Sequence, residues 1–312
     1  MKSFLKQIIL FFLFFSFLSI ILIVTYILKN KYSYEDIPAP NFTNSFSYNE
    51  KVLFSHSKKA NILAIGSSMS LNNLNSATIV DLLHSDSYLN LSSWGINMEE
   101  NYKLLQMYSP QSKPSILIIS SSLGDFGMSD KLICYNYIRN YLKDNTIIFT
   151  YYYLKNFDCQ YYLKNLEEKE ICRSSNGIYA SVKYDKYGGV LLDSLNFKIN
   201  KDRWNNTAIS IGQSSNYQWL DSIAGYCHRN NIKLLFIQSP FREGIAMQLS
   251  KDSILLKHIA KVNKIVSSYG QVFINGDEKI WPDSLFVDAT HMNAKGARKF
   301  TEHCIKIFNK IY

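Results

Sequence analysis

Short apolar runs alternate with stretches of helical periodicity from about residue 60 to the end of the chain. Continuous apolar runs separated by helices are typical of parallel strands that are buried on both faces of a sheet. The pattern therefore predicts an α/β fold of three layers, α/β/α, around a parallel, flavodoxin-like sheet. Predicted strands cover residues 61–65, 88–92, 115–120, 232–238 and 271–275, and predicted helices cover residues 77–84, 98–108, 253–266 and 294–311.

One apolar segment near the N-terminus is far longer than these runs. Residues 8–28 contain no charged side chain and are rich in Phe, Leu and Ile. At ~1.5 Å per residue such a helix would be about 31 Å long, which matches the hydrocarbon core of a bilayer. No small-residue cleavage site follows the segment, so residues 1–30 are predicted to be an uncleaved transmembrane anchor. Residues 31–57, rich in Asn and Ser, are predicted to be a linker.

The charge of the chain is compatible with a membrane anchor and argues only against a nucleic-acid-binding tail. The formal net charge is +9 over 312 residues, and Lys2, Lys6, Lys29 and Lys31 flank the apolar segment. The positive-inside rule gives only a small bias towards an N-terminus inside the cytoplasm. The remaining positive charge is dispersed, with no basic run of the kind that binds nucleic acid. Attraction to anionic membrane or glycan surfaces and an ordinary basic surface both remain open.

Residues 58–312 are predicted to form one domain, which a Tyr-rich insertion interrupts at about residues 126–200. Apolar residues make up 47% of the chain, which is enough for a sizeable core and argues against disorder. The tyrosines of the insertion have two interpretations. They stack on sugar rings as a lid, or they pack a small core of their own.

Five cysteines are present, and no two of them form a Cys-x-x-Cys pair, so a zinc or redox motif is not supported. Cys159 and Cys172 are close enough in sequence to form a disulfide outside the cytosol, although spacing alone leaves their geometry open. The odd count leaves at least one thiol free unless it pairs between chains. No motif predicts a metal or an organic cofactor.

The strongest chemical signal lies near the C-terminus, where Asp288 and His291 stand three residues apart before a predicted helix. A serine hydrolase needs an imidazole that accepts the proton of the nucleophile and a carboxylate that holds the imidazole in one tautomer. Asp288 and His291 can supply both groups from a single loop. Asn293 is predicted to cap the helix that follows.

A second signal is the turn Gly66–Ser68 at the end of the first predicted strand. Gly66 permits a tight turn, and Ser68 stands at the mouth of the next helix, where backbone N–H groups stabilise negative charge. Chemistry in open α/β sheets lies beyond the carboxyl ends of the strands, which favours Ser68 as a nucleophile. Ser70, two residues later, is the alternative.

Taken in order, these motifs resemble the SGNH/GDSL hydrolase superfamily from about residue 60 to the C-terminus, apart from the insertion. The Gly-Asp-Ser block appears as Gly66–Ser68, Gly95 matches the glycine of the second block, and Asp288 with His291 matches the Asp-x-x-His block. The resemblance implies a Ser68–His291–Asp288 triad that needs no cofactor or metal. It also implies an oxyanion hole that contains the backbone N–H groups of Ser68 and Gly95.

The chain departs from the pattern of the family at two positions. A serine stands where the first block has Asp, a change that variants of the family tolerate. In the third block, Gly-x-Asn-Asp, residues 122–125 read Ser-Leu-Gly-Asp, so the Asn that donates to the oxyanion is missing. Asn97, Ser121 and Ser122 are the candidates to replace it by position. Asp125 either contacts the site or supports its loop.

The resemblance implies a serine esterase or O-acyltransferase. Membrane-anchored members of the family act on O-acyl groups, often acetyl groups, of cell-envelope polysaccharides, some beside a membrane-bound O-acyltransferase. An acylated envelope glycan is therefore the expected substrate and such an enzyme an expected partner. The domain would then lie outside the cytoplasm on a single-pass anchor with its N-terminus inside. Arg242 is a candidate to bind a carboxylate or phosphate of the substrate, or else an ordinary surface arginine.

Two other functions compete with catalysis. The missing Asn motivates a weak or inactive protein that keeps the fold and binds a glycan or an acyltransferase partner. The retention of Ser68, Asp288 and His291 argues against this alternative, since a scaffold needs none of them. A flavodoxin-like nucleotide binder would need a Gly-rich phosphate loop, which the sequence lacks.

Overall fold

The structure is a computed structural model that describes residues 2–30, 59–127, 184–192, 201–205 and 217–312, with single residues at positions 48, 51, 52, 55, 147 and 151. Most of the predicted linker and insertion, including Cys134, Cys159 and Cys172, lies outside the described residues. The lid, the disulfide and the domain limits at residues 58 and 312 therefore stay predictions.

The N-terminal apolar segment forms one long helix, α1, over Lys2–Asn30. Its span Lys2–Thr25 has a mean hydropathy of 3.0, and none of it is buried against the rest of the protein. Within this span, Ser19 Oγ donates to the Phe15 carbonyl at 2.8 Å, so this hydroxyl is satisfied inside the helix. The helix is long and apolar enough to cross a membrane, a property that signal sequences share.

Five strands form one parallel sheet in the order β2-β1-β3-β4-β5. Each predicted strand is confirmed, with ends that differ from the prediction by at most two residues. The register aligns Leu63 of β1 with Leu89 of β2 on one side and Leu117 of β3 on the other. The strands are β1 (Ile62–Ala64), β2 (Tyr88–Asn90), β3 (Ile116–Ser121), β4 (Lys233–Gln238) and β5 (Val272–Asn275).

Helices connect the strands, as parallel pairing requires. The predicted helices are all present, and among the described residues α2, α5, α6 and α7 are additional to them. Short 3₁₀ turns follow β3 and β5. The helices after α1 are α2 (Ser68–Asn73), α3 (Ser76–Leu82), α4 (Met98–Ser112), α5 (Lys201–Trp204), α6 (Tyr217–Arg229), α7 (Glu243–Leu249), α8 (Ser253–Ser268) and α9 (Ala294–Ile311).

Two hydrophobic cores lie on opposite faces of the sheet, because successive side chains of a strand point to opposite faces. Leu63 and Leu117 belong to one core, which α4, α6 and α8 cover. Ile62 and Ile118 belong to the other, which α3 and α9 cover. The predicted three-layer α/β/α architecture is thereby confirmed.

Candidate active site

The nucleophile turn follows β1 directly and depends on Gly66. The backbone at Gly66 has φ +146°, and a Cβ added there would lie 2.1 Å from Ser70 Oγ. Ser67 then caps α2 by accepting a hydrogen bond from the Met69 N–H at 3.2 Å. The serine that the turn presents, Ser68, is the first residue of α2 and is only partly buried, so a substrate could reach its hydroxyl.

Ser70, the alternative nucleophile, has a structural position. Its side chain is fully buried. Its Oγ donates to the Ser120 carbonyl at 2.8 Å and accepts from the Ser120 N–H at 2.7 Å. These bonds join α2 to the end of β3, and they leave the Ser70 hydroxyl without access to a substrate.

Ser68, His291 and Asp288 form a continuous hydrogen-bonded series. The Ser68 hydroxyl lies 2.8 Å from His291 Nε2, and His291 Nδ1 lies 2.7 Å from Asp288 Oδ2. Ionised Asp288 can only accept, so it fixes the proton on Nδ1 and leaves Nε2 free to accept the proton of Ser68. The structure thus brings together the three residues that the sequence suggested, although their catalytic role stays a prediction.

Asp288 is held in its ionised form by the loop that carries it. Its Oδ1 accepts hydrogen bonds from the N–H groups of Thr290 at 2.9 Å and His291 at 2.8 Å. Burial acts to raise the pKa of Asp288, but the charge of His291 and these hydrogen bonds outweigh burial and hold the pKa below its ordinary value. The carboxylate is therefore poised to stabilise an imidazolium at His291.

The loop after β2 brings Gly95 beside the triad. The Ser93 N–H donates to the Gly66 carbonyl at 3.0 Å, which ties this loop to the nucleophile turn. The Trp94 ring packs 6.0 Å from the His291 ring, and Gly95 follows with φ +71°. The backbone N–H groups of Ser68 and Gly95 donate to no described residue, and their role as oxyanion donors stays a prediction.

Two of the three side chains suggested as replacement oxyanion donors, those of Asn97 and Ser121, have structural partners. Asn97 Oδ1 caps α4 by accepting from the Glu100 N–H at 3.1 Å, and its Nδ2 donates to the Gly127 carbonyl at 3.2 Å. The Ser121 hydroxyl donates to Asp125 Oδ2 at 3.0 Å. The place of Asn97 in the oxyanion hole therefore stays a prediction, and the geometry favours a supporting role for it.

Asp125 supports the loop of the third block. Its Oδ2 also accepts from the Ser122 N–H at 2.8 Å. Burial raises the pKa of Asp125 to about 6, while hydrogen bonds from Ser122, Ser67 and Ser121 and the charge of His291 act in the opposite direction. At neutral pH this acid therefore contributes negative charge near the imidazole.

Arg242 is buried rather than on the surface, with 5% of its area exposed. Its Nε donates to the Trp204 carbonyl at 2.8 Å, its Nη1 pairs with Asp283 at 2.9 Å and its Nη2 donates to Asn205 at 2.7 Å. Its backbone N–H donates to the Ala289 carbonyl in the acid loop. These contacts hold Arg242 in place beside the loop that carries Asp288 and His291. Binding of a substrate anion by Arg242 stays a prediction.

Asn73 is a residue of the site that sequence reasoning missed. Its side chain contacts the backbone on both sides of His291, although more than 200 residues separate the two in sequence. A buried Asn at a helix end carries no local signal of such a contact.

In the described parts of the chain, no group of three or more His, Cys, Asp or Glu side chains is arranged to hold a metal ion.

Known proteins offer a likeness in fold. No family model matches the chain, and no curated protein matches its sequence. Solved structures do match it. Several of these structures are described as GDSL-like lipases or acylhydrolases. One match is a GDSL-like lipase from Bacteroides thetaiotaomicron, at 10% identity and a TM-score of 0.43, covering 86% of this chain and 98% of the lipase.

A second match is an acetyl-xylooligosaccharide esterase variant from Geobacillus, at 12% identity and a TM-score of 0.37, covering 81% of this chain and 96% of the esterase. A third is TesA, at 10% identity and a TM-score of 0.41, covering 80% and 99%. At such identities the likeness concerns the fold alone, so the chemistry has to be argued from Ser68 and its neighbours.

Proposed function

We propose that this protein is a serine esterase or O-acyltransferase that acts through Ser68, His291 and Asp288. One observation carries the proposal: the partly exposed Ser68 hydroxyl lies 2.8 Å from an imidazole nitrogen whose other nitrogen lies 2.7 Å from a buried carboxylate. This arrangement activates a serine for nucleophilic attack on an ester.

In the proposed reaction, His291 Nε2 takes the Ser68 proton while Ser68 Oγ attacks the ester carbonyl carbon. The carbonyl oxygen becomes an oxyanion that accepts from the N–H groups of Ser68 and Gly95. The intermediate then breaks its bond to the alcohol, which leaves with the proton from His291, and an acyl-enzyme remains. Water, or a sugar hydroxyl, gives a proton to His291 and attacks the acyl carbon, and Ser68 recovers its proton as the acid or new ester leaves.

The missing Asn of the third block bears on the rate. Gly124 stands at its position and has no side-chain donor. Loss of one oxyanion donor costs about 2.7–4 kcal/mol of transition-state stabilisation where this has been measured. With two backbone donors, we expect slow turnover of simple esters. The same observation favours the alternative function, a protein of this fold that binds a glycan or an acyltransferase partner without catalysis.

The proposed substrate is an acylated glycan of the cell envelope, with acetyl as the expected acyl group. The family resemblance and the apolar helix α1 support this choice, since an anchored enzyme works on esters near a membrane. In this proposal the domain lies outside the cytoplasm, with the N-terminus inside and a membrane-bound O-acyltransferase as a partner.

The test of catalysis uses the full chain in detergent and a fluorophosphonate probe, which forms a bond only with an activated serine. We expect the wild type to be labelled on Ser68, as read by peptide mapping, and to hydrolyse p-nitrophenyl acetate. Ser68→Ala should lose both signals, while Ser267→Ala, at an exposed serine of α8, should keep both. Absence of labelling in the folded wild type would leave the binding function.

Two further measurements address substrate and topology. Release of acetate from O-acetylated oligosaccharides, compared with appearance of a newly acetylated acceptor sugar, separates hydrolysis from transfer. Protease treatment of intact cells should digest the domain but spare α1 if the domain lies outside the cytoplasm. A domain that stays protected until the cells are lysed would contradict the proposed orientation.

A further inference from the structure

Asn73 is the last residue of α2, the helix that begins with Ser68, and it is fully buried. Its carboxamide contacts the backbone on both sides of His291. Oδ1 accepts from the Met292 N–H at 2.9 Å, and Nδ2 donates to the Thr290 carbonyl at 3.0 Å. The amide therefore pairs with the loop much as a neighbouring strand would, with one donor and one acceptor.

These two bonds link the loop to α2, whereas the other hydrogen bonds that hold the loop connect it to itself or to other elements. Val287 bonds to the His291 carbonyl within the loop, and Arg242 donates to Ala289 from the start of α7. Neither bond links the loop to the helix that carries the nucleophile. Among the described residues, the hydrogen bonds between α2 and residues 286–293 are those of Asn73 and the Ser68–His291 bond itself.

The helix end is itself fixed in place. Thr301 of α9 donates to the Asn73 carbonyl at 3.3 Å, and Asn73 Nδ2 also lies 3.3 Å from Ser239 Oγ and 3.8 Å from Met69 Sδ. Because Ser68 and Asn73 belong to one short helix, a shift of the loop relative to that helix would have to break the amide contacts. The contacts therefore set the separation of the nucleophile and the imidazole.

From these contacts we infer that Asn73 is a positioning residue for the reaction, which aligns His291 with Ser68 by clamping the backbone on both sides of the imidazole. The inference rests on the proposed function. A misplacement of about 1 Å in such a site can cost about 100-fold in rate. We therefore expect loss of the clamp to lower kcat by about 10- to 100-fold and to leave KM almost unchanged, because Asn73 does not face the substrate.

The experiment compares Asn73→Ala and Asn73→Asp in the full chain in detergent. Asn73→Asp keeps the shape and the acceptor for Met292 but replaces the donor to Thr290. An ionised carboxyl would repel the Thr290 carbonyl, whereas a protonated one would donate to it. Burial favours the protonated form as pH falls. The ratio of kcat in Asn73→Asp to kcat in the wild type should therefore rise as the pH is lowered from 8 towards 5.

Taking a ratio removes the effects of the titratable groups that face His291 in both proteins, Asp288 and Asp125. Ser239→Ala is the matched control, since it removes a contact of the Asn73 amide that does not involve the loop and keeps those with Thr290 and Met292. It should change kcat less than about 3-fold. A second readout is the low-field NMR signal of the His291 Nδ1–H proton, which should broaden or shift in Asn73→Ala and stay in Ser239→Ala.

Folded Asn73 variants with wild-type kcat and an unchanged low-field signal would overturn the inference, and so would an equal loss of activity in Ser239→Ala. If Asn73→Ala does not fold, the pH-dependent ratio of Asn73→Asp decides alone. A wild type that neither turns over p-nitrophenyl acetate nor is labelled by the fluorophosphonate would contradict the proposed function instead. The NMR comparison would then still report whether Asn73 holds the imidazole.

Discussion

At Gly66 the backbone takes a φ of +146°, and the space that a Cβ would occupy contains Ser70 Oγ. Ser70 cannot move aside cheaply, because its hydroxyl bonds to the backbone of Ser120 in both directions. The geometry of the nucleophile turn thus depends on the absence of a side chain at residue 66.

Gly66→Ala should lower the free energy of unfolding by about 2–4 kcal/mol, since strained backbone and a buried clash both act against the native state. Gly270→Ala is the matched control, because Gly270 also has a positive φ, +68°, but nothing lies within 4 Å of the added Cβ. Its cost should be limited to about 1–2 kcal/mol of backbone strain. Denaturant unfolding measures both values. Equal losses would mean that the contact with Ser70 is unimportant.

Asp288→Asn should lower kcat by about 10⁴-fold at neutral pH. The Asn amide can donate to His291 Nδ1, which would leave the proton on Nε2, where it cannot accept the proton of Ser68. Asp283→Asn is the control, because Asp283 pairs with Arg242 at the rim and not with His291. Steady-state turnover of p-nitrophenyl acetate measures both variants. Equal activity in Asp288→Asn and the wild type would contradict the triad.

The site residues that sequence could suggest are those with a local signature. Ser68 follows a strand and a glycine, and Asp288 and His291 share one loop, so type and spacing identify them. Asn73 and Arg242 act through contacts 37 to 219 positions away, between segments that only the folded sheet brings together. No local pattern encodes such contacts, which is why Asn73 was missed and Arg242 was open to a surface interpretation.

At the scale of elements, long periodic segments were predictable and short polar ones were not. Helix α9 matches its predicted range because Asn293 caps it and one face of it is strongly apolar. Helix α2 has six residues, mostly polar, and it exists because the turn and the Asn73 and Ser70 contacts hold it. Helix α6 has buried residues at helical spacing, but it follows the irregular insertion and was not recognised.

Two helices carry buried thiols, one on each face of the sheet, whose reactivity measures how well each face is packed. Cys227 of α6 lies in one core and Cys304 of α9 in the other, and both are fully buried. Burial raises the pKa of Cys227 to about 12 and also raises that of Cys304. Since the thiolate is the reactive form, neither should react with iodoacetamide in the native protein.

Peptide mapping by mass spectrometry after brief native labelling checks this expectation, with labelling in guanidinium chloride as the positive control. Modification of one thiol before the other at intermediate denaturant would identify the helical layer that opens first. Rapid labelling of both in native buffer would contradict the packing of α6 and α9.

At the scale of the whole molecule, buried acids make stability depend on pH. Asp277, near the end of β5, accepts from the Phe241 N–H at 2.9 Å, and burial raises its pKa to about 7. The folded state therefore binds a proton that the unfolded state has already lost between about pH 4 and pH 7. The free energy of unfolding should fall as the pH rises through this window.

Asp277→Asn removes the charge and keeps the acceptor for Phe241. It should stabilise the protein by about 1–2 kcal/mol at pH 8, after allowance for solvent screening because the residue is buried but not completely, and change little at pH 4. Thermal or urea unfolding at the two pH values measures the difference. A gain of equal size at both pH values would rule out ionisation as the cause.

Ser68 and His291, whose side chains are hydrogen-bonded, are 223 positions apart in the sequence. Four of the five strands, β2 to β5, lie between them along the chain. On the proposed mechanism, a chain still emerging from the ribosome carries its serine early but receives its base only after the loop at residues 286–293 has been made and has docked. During synthesis, such a chain cannot yet react with esters around it. Activity then begins only once this loop has packed against the helix that carries Ser68.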